Sequence, residues 1–310
     1  MLEKYKPNSI RGNFERNKYF EGWFQKVYSK EHNASFILIY GYATQNLDDH
    51  FGFLQVLIPN QEPEIAYFPK NEVSCDIEQH IFRMGKNLMT TELIRIDING
   101  LRIDLNFKNS QPSRTFKNSM GYAYFIPNLP CYHSVLTTAQ NVSGEIQHNG
   151  VYYTLNNAMG YLEKNWGTTF PESYFWIHAV DPNNPARSLL FSKAKIVWLG
   201  KTYIKHVGYL CLDGQQIELR ELKNFSVSNS NVSPENQIIQ MRSASAQIDL
   251  SLDYGREVVF HGPKDGALSR LIHHQTDVKI EVLLNYENRK HKYQMVGNFE
   301  DIGLFRKQSS

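Results

Sequence analysis

The sequence predicts an all-β fold made of two consecutive antiparallel β-barrels with little helix. Three observations predict it: short apolar or alternating runs recur along the 310 residues, Asn-Gly and Asp-Gly pairs punctuate them, and aromatic residues are plentiful, with 18 Tyr, 18 Phe and 4 Trp. Aromatic and β-branched side chains suit a pleated surface. Many short strands with frequent turns build sandwiches or barrels, and closure removes exposed sheet edges while leaving room for a ligand.

The strands follow in order. Phe36-Ile37-Leu38-Ile39-Tyr40 has the length of a buried strand, and residues 51–58 form a similar run that stops at Pro59. Ile94-Arg95-Ile96-Asp97-Ile98 alternates, turns at Asn99-Gly100 and resumes as Leu101-Arg102-Ile103-Asp104-Leu105. Alternation on both sides of Asn-Gly is a strong hairpin signal. Asn149-Gly150 and Asp213-Gly214 mark two more hairpins. Val258-Val259-Phe260, the alternating Val278, Ile280, Val282 and Leu284, and Tyr293-Gln294-Met295-Val296 complete the pattern. Helical periodicity is scarce, and residues 266–274 are the stretch that could hold a helical turn.

Tyr19-Phe20-Glu21-Gly22-Trp23 and Tyr161-Leu162-Glu163-Lys164-Asn165-Trp166 echo each other, and an apolar strand follows each. Read as a duplication, they place one barrel at residues 1–152 and a second at 153–310.

The formal net charge of +2 comes from 33 basic and 31 acidic residues, which gives no electrostatic reason to expect a nucleic-acid partner. Cys75, Cys131 and Cys211 form no CxxC pair and read as three small buried thiols. Met1-Leu2-Glu3-Lys4-Tyr5-Lys6 lacks the apolar region of a secretory signal. No run approaches the ~18 apolar residues of a membrane helix. The expectation is a cytoplasmic chain, with a peripheral membrane contact left open. HExxH, P-loop, GxGxxG and GxSxG motifs are absent, which excludes the zinc-protease, nucleotide-triphosphatase, Rossmann and α/β-hydrolase classes. His273 and His274 are adjacent; on a strand they face opposite ways and share no metal.

Several motifs fall in a recognisable order. They are Phe20-Glu21-Gly22-Trp23-Phe24, Met120-Gly121-Tyr122 leading to Pro127, Cys131-Tyr132-His133, Ser143-Gly144-Glu145-Ile146, Glu163-Lys164-Asn165-Trp166-Gly167, Phe170-Pro171 and Phe175-Trp176-Ile177. Together they resemble the tocopherol cyclase-like family. The resemblance implies lipocalin-like barrels, a wider kinship with carotenoid hydratases, and acid-catalysed cyclisation of a prenylated quinol to a chromanol without a cofactor or metal. Two departures stand out. Tyr122 replaces the family's Pro, and Ile272-His273-His274-Gln275 replaces its Ile-x-Glu-Ser.

Such a cyclisation needs an acid for the alkene, a group to orient the phenol, and apolar walls. A buried carboxyl can supply the acid, and aromatic faces stabilise a developing cation. Alternation puts Tyr19, Glu21, Trp23 and Gln25 on one face, and Tyr161, Glu163 and Asn165 on another with Lys164 and Trp166 opposite. Glu163 and Glu21 are therefore the candidate proton donors, one per barrel. Asn165, His133 and His178 are candidates to orient the phenol, and Tyr19, Trp23, Tyr161, Trp166 and Trp176 to line the apolar ligand. Two alternatives stand beside the cyclase: a non-catalytic carrier of an isoprenoid or other apolar ligand, and a hydratase or pericyclase acting on another apolar substrate. Solvent-exposed ion pairs at both carboxyls would favour the carrier.

Overall fold

A computed structural model describes residues 16–46, 49–76, 81–112, 120–219, 225–230, 233 and 236–305. The N-terminal run at residues 1–6 lies outside them. The protein is all-β, with two large antiparallel sheets, one of them curled into a nearly closed barrel. No helix among the described residues is long and apolar enough to cross a membrane.

The chain divides into two compact units. The first comprises residues up to Phe170 together with His261–Arg270; the second comprises Pro171–Phe260 and the chain from Leu271. The division expected after residue 152 would cut a hairpin of the first unit.

The first unit contains β1 (Tyr19–Ser29), β2 (Ala34–Asn46), β3 (Asp49–Leu57), β4 (Glu64–Pro69), β5 (Val73–Asp76), β6 (Ile81–Met84), β7 (Asn87–Met89), β8 (Leu93–Ile98), β9 (Leu101–Pro112), β10 (Cys131–His148) and β11 (Val151–Gly167). They form one sheet in the order β4-β3-β2-β1-β11-β10-β9-β8-β7-β6-β5. The second unit contains β12 (Ser173–Asp181), β13 (Asn184–Trp198), β14 (Lys201–Leu212), β15 (Gln215–Glu218), β16 (Ser226–Ser230), β17 (Asn236–Arg242), β18 (Ala246–Asp253), β19 (Arg256–Lys264), β20 (Ala267–Tyr286) and β21 (Arg289–Ile302), except that the parts of β19 and β20 within His261–Arg270 belong to the first. The sheet of the second unit has the order β15-β14-β13-β12-β21-β20-β18-β17-β16, with β19 also paired to β20.

The turn chemistry explains the hairpins. Asn99 and Gly100 both take positive φ, 46° and 78°, as the tight turn that matches strand twist requires. Asn149-Gly150 and Asp213-Gly214 likewise join β10 to β11 and β14 to β15. Residues 267–274, where a helical turn was conceivable, belong to strand β20. Each unit buries its own apolar cluster. The first is built on residues such as Leu38, Leu54, Ile94, Leu105 and Leu162, the second on Ile177, Phe191, Leu250, Ile280 and Phe299.

The two echoing segments are neighbours within the first unit. β1 and β11 run antiparallel, with Glu21 opposite Trp166, Trp23 opposite Lys164, and Phe24 opposite Glu163. Their likeness is therefore that of two adjacent strands of one sheet. At the same level β1 meets β2 with Gly22 opposite Gly41. A Cβ at Gly41 would collide with the Glu21 carbonyl oxygen and the Gly22 Cα. The colliding atoms are backbone, so the strand itself would have to move. Gly41→Ala should cost about 1–3 kcal/mol, read as a lowered urea midpoint.

Candidate active site

Strand register sorts the candidate residues into three groups. The first lies in the core of unit 1. Tyr19, Trp23 and Trp166 belong to its apolar cluster together with Tyr42. Glu21 and Lys164 are both 0% exposed there, and Lys164 Nζ bonds directly to Glu21 Oε1. Glu21 Oε2 accepts the Tyr42 hydroxyl at 2.9 Å and the Tyr19 hydroxyl at 3.4 Å. The Lys164 ammonium sits 4.8 Å from the Trp23 ring and 5.2 Å from the Trp166 ring, within cation–π range. Trp23 stacks on Tyr40, and Trp166 on Tyr132. Burial, then the Glu21 carboxylate, holds the Tyr42 phenol far above its usual range, so it remains a donor.

Cys75 senses this pair. Its thiol is pushed up to about 11 by burial first and then by Glu21 and Asp76, while Lys164 acts in the opposite direction. The reactive thiolate is therefore scarce at neutral pH. Iodoacetamide labelling of Cys75, located by peptide mass spectrometry, should be slow at neutral pH and accelerate as pH rises toward 11. Lys164→Met should shift that rise to higher pH. Of the three thiols expected to be buried, only Cys131 is fully so; Cys75 and Cys211 are partly exposed.

The second group lies on the other face of the same sheet. The Glu163 carboxyl accepts the Tyr161 hydroxyl at 2.6 Å and Asn165 Nδ2 at 3.2 Å, and His133 Nε2 lies 3.1 Å away. His133 stands opposite Asn165 on β10. β10 carries register shifts just beyond it, between Val135 and Thr137 and again before Gln140, and such bulges re-aim side chains. The Glu163 side chain is 6% exposed and that of His133 16%, so the imidazole is the more accessible partner. Phe24, opposite Glu163 in register, shares this face.

The third group, Trp176 and His178, lies on β12 of the second unit. Glu21 and Glu163 were expected to serve one barrel each. Both belong to unit 1, on opposite faces, because β1 and β11 are paired neighbours. Neither is in a solvent-exposed ion pair: Glu21 is 0% and Glu163 4% exposed. Lys164 and Tyr42 were not foreseen as partners of Glu21. The available signal was the alternation that set Lys164 opposite Glu163, combined with a pairing of β1 to β11.

The comparisons with known proteins bear on the same strands. Residues 105–229 match the tocopherol cyclase-like family. That tocopherol cyclase-like segment contains Tyr161, Glu163, Asn165, His133, Trp176 and His178, and it begins well after Tyr19, Glu21 and Trp23. No curated protein matches the sequence. Three solved structures share the fold. An AttH candidate from Nitrosomonas europaea aligns at 11% identity and TM-score 0.56, covering 97% of this chain and 96% of that one. CghA, solved with Sch210972, aligns at 8% identity and TM-score 0.61, covering 92% and 88%. Kievitone hydratase from Nectria haematococca aligns at 11% identity and TM-score 0.57, covering 97% and 91%.

Proposed function

We propose that this protein is an enzyme of the hydratase/isomerase type that adds an O–H bond across an electron-rich alkene of an apolar substrate. In its finer form the reaction is closure of a prenylated quinol to a chromanol. The observation that carries this reading is the Glu163 cluster: a buried carboxyl held by Tyr161 and Asn165 and joined to the partly accessible His133.

Glu163 accepts hydrogen bonds from Tyr161 and Asn165 and lies against His133, and in this reading the Glu163–His133 pair delivers the proton. The carboxylate orients the imidazole. The pair protonates the less substituted alkene carbon, and the phenol or water oxygen bonds to the tertiary carbon that becomes cationic. The departing O–H proton restores the pair. Phe24, on the same face, offers a ring to the developing charge. Glu21 is less suited to this task, since Lys164, Tyr42 and Tyr19 already occupy both its oxygens. One structural neighbour is named a hydratase, which supports assaying water addition beside ring closure.

The test is a panel of prenylquinols incubated with the protein. Ring closure yields a product of unchanged mass with altered retention and absorbance, whereas hydration adds the mass of one water. Tight binding of the whole panel with no product would replace the enzyme with a carrier.

A further inference from the structure

The hairpin that joins β13 to β14 projects from the sheet of the second unit. β12 pairs with β13 only as far as Lys195, and β15 pairs with β14 only over Tyr209–Leu212. Among the described residues, the stretch 196–203 therefore pairs only with itself, from Ile196 opposite Tyr203 to Trp198 opposite Lys201. A two-stranded ribbon is marginal in water and gives its side chains little to pack on. This ribbon is nevertheless apolar: Val197 is 47% exposed, Leu199 79%, Tyr203 37% and Ile204 51%. Alternation sets Val197 and Ile204 on one face and Trp198 and Tyr203 on the other, with the two rings 6.4 Å apart.

Leu199 and Gly200 make the turn, with φ of 49° and 73°. The left-handed conformation strains a side chain such as Leu and suits Asn or Asp. The turns at Asn99-Gly100, Asn149-Gly150, Asp213-Gly214 and Asp265-Gly266 all have Asn or Asp at this place, with φ from 46° to 51°. Here the chain holds a leucine there, strained in its backbone and open to solvent. Strain kept at such a point is a mark of function.

The charge around the tip has one sign. Residues 193–205 include Lys193, Lys195, Lys201 and Lys205 and neither Asp nor Glu. Lys193 reaches the Val227 carbonyl at 3.3 Å, and Lys195 pairs with Glu172 at 3.0 Å. Lys201 and Lys205 are exposed, and the register puts both on the face of Trp198. Such a tip complements a bilayer. Its aliphatic side chains enter the acyl boundary, the indole and phenol sit at the headgroups, and ammonium groups on flexible stems reach the phosphates. A protein partner would cover one face, whereas a tip apolar on both suits a medium that surrounds it.

We propose that the β13–β14 hairpin docks the protein on a bilayer surface bearing anionic headgroups, with Leu199 at the point of insertion. Such docking is independent of the reaction proposed above.

The test is flotation of the full chain with vesicles of phosphatidylcholine alone and of equal parts phosphatidylcholine and phosphatidylglycerol. The wild type should float with the mixed vesicles, less as salt rises, and far less with the neutral ones. Leu199→Asn should unfold at a higher urea concentration than the wild type, because it relieves the turn, yet lower the partition coefficient about tenfold. Lys201→Glu should lower it roughly 30-fold, since the reversal changes the charge at the surface by two. Binding lost while stability is gained cannot come from misfolding. The proposal is overturned by a wild type that floats with neither vesicle, that floats equally with both, or whose flotation survives both substitutions. It is also overturned by a chain that ignores vesicles and forms a dimer by light scattering that Leu199→Asn dissolves, which gives the hairpin to a second copy.

Discussion

Replacing Lys164 with Met should destabilise the first unit by about 3–5 kcal/mol, the range for removing one partner of a buried ion pair. Lys164 and Glu21 are both wholly buried. The substitution keeps much of the side-chain volume between Trp23 and Trp166 but leaves the Glu21 carboxylate without its ammonium partner. Glu21→Gln should cost less, since the ammonium would keep two indole faces and an amide oxygen. The double variant Glu21→Gln/Lys164→Met should recover most of the loss, because it buries no charge. Urea unfolding followed by tryptophan fluorescence tests this ordering. Trp23 and Trp166 report on unit 1, and a multi-domain chain calls for unit-by-unit transitions. An unchanged midpoint in Lys164→Met, or a double variant worse than Lys164→Met, would remove the pair from any stabilising role.

The sequence makes local geometry legible and leaves long-range register hidden. Asn99-Gly100 and Asn149-Gly150 announced their turns because only a few residue types accept the positive φ required. Alternation correctly placed Glu21 with Trp23, and Lys164 with Trp166, within each strand. It could not say which face of β1 shares a side with which face of β11, because that depends on pairing strands separated by most of the first unit. Once Glu21 stands opposite Trp166, Lys164 and Glu21 share the core, and Glu163 is left on the other side. The division of the chain was misplaced for a related reason, since two similar strands of one sheet read as two copies of a unit.

Glu163→Gln should lower kcat by roughly 10²–10⁴-fold, the usual worth of a positioned acid–base group, on any prenylquinol the wild type converts. The change is close to isosteric, and Tyr161 can reverse its hydrogen bond to accept from the new amide. Stability should therefore fall by only about 1–3 kcal/mol, the cost of a mismatched buried polar group. KM should move little, because in the proposed reaction Glu163 meets the substrate through His133. His133→Gln should show a comparable loss. The double variant should be scarcely worse than either single one, because residues that act as a unit lose their joint effect at the first substitution. A purely structural Glu163 predicts a different pattern: lowered melting temperature, near-normal kcat in the folded fraction, and losses that add between the two sites. Glu163→Asp separates the cases further, since a shortened carboxyl can still share a proton with His133 and regain part of the rate, whereas its gap against Tyr161 leaves the packing defect in place.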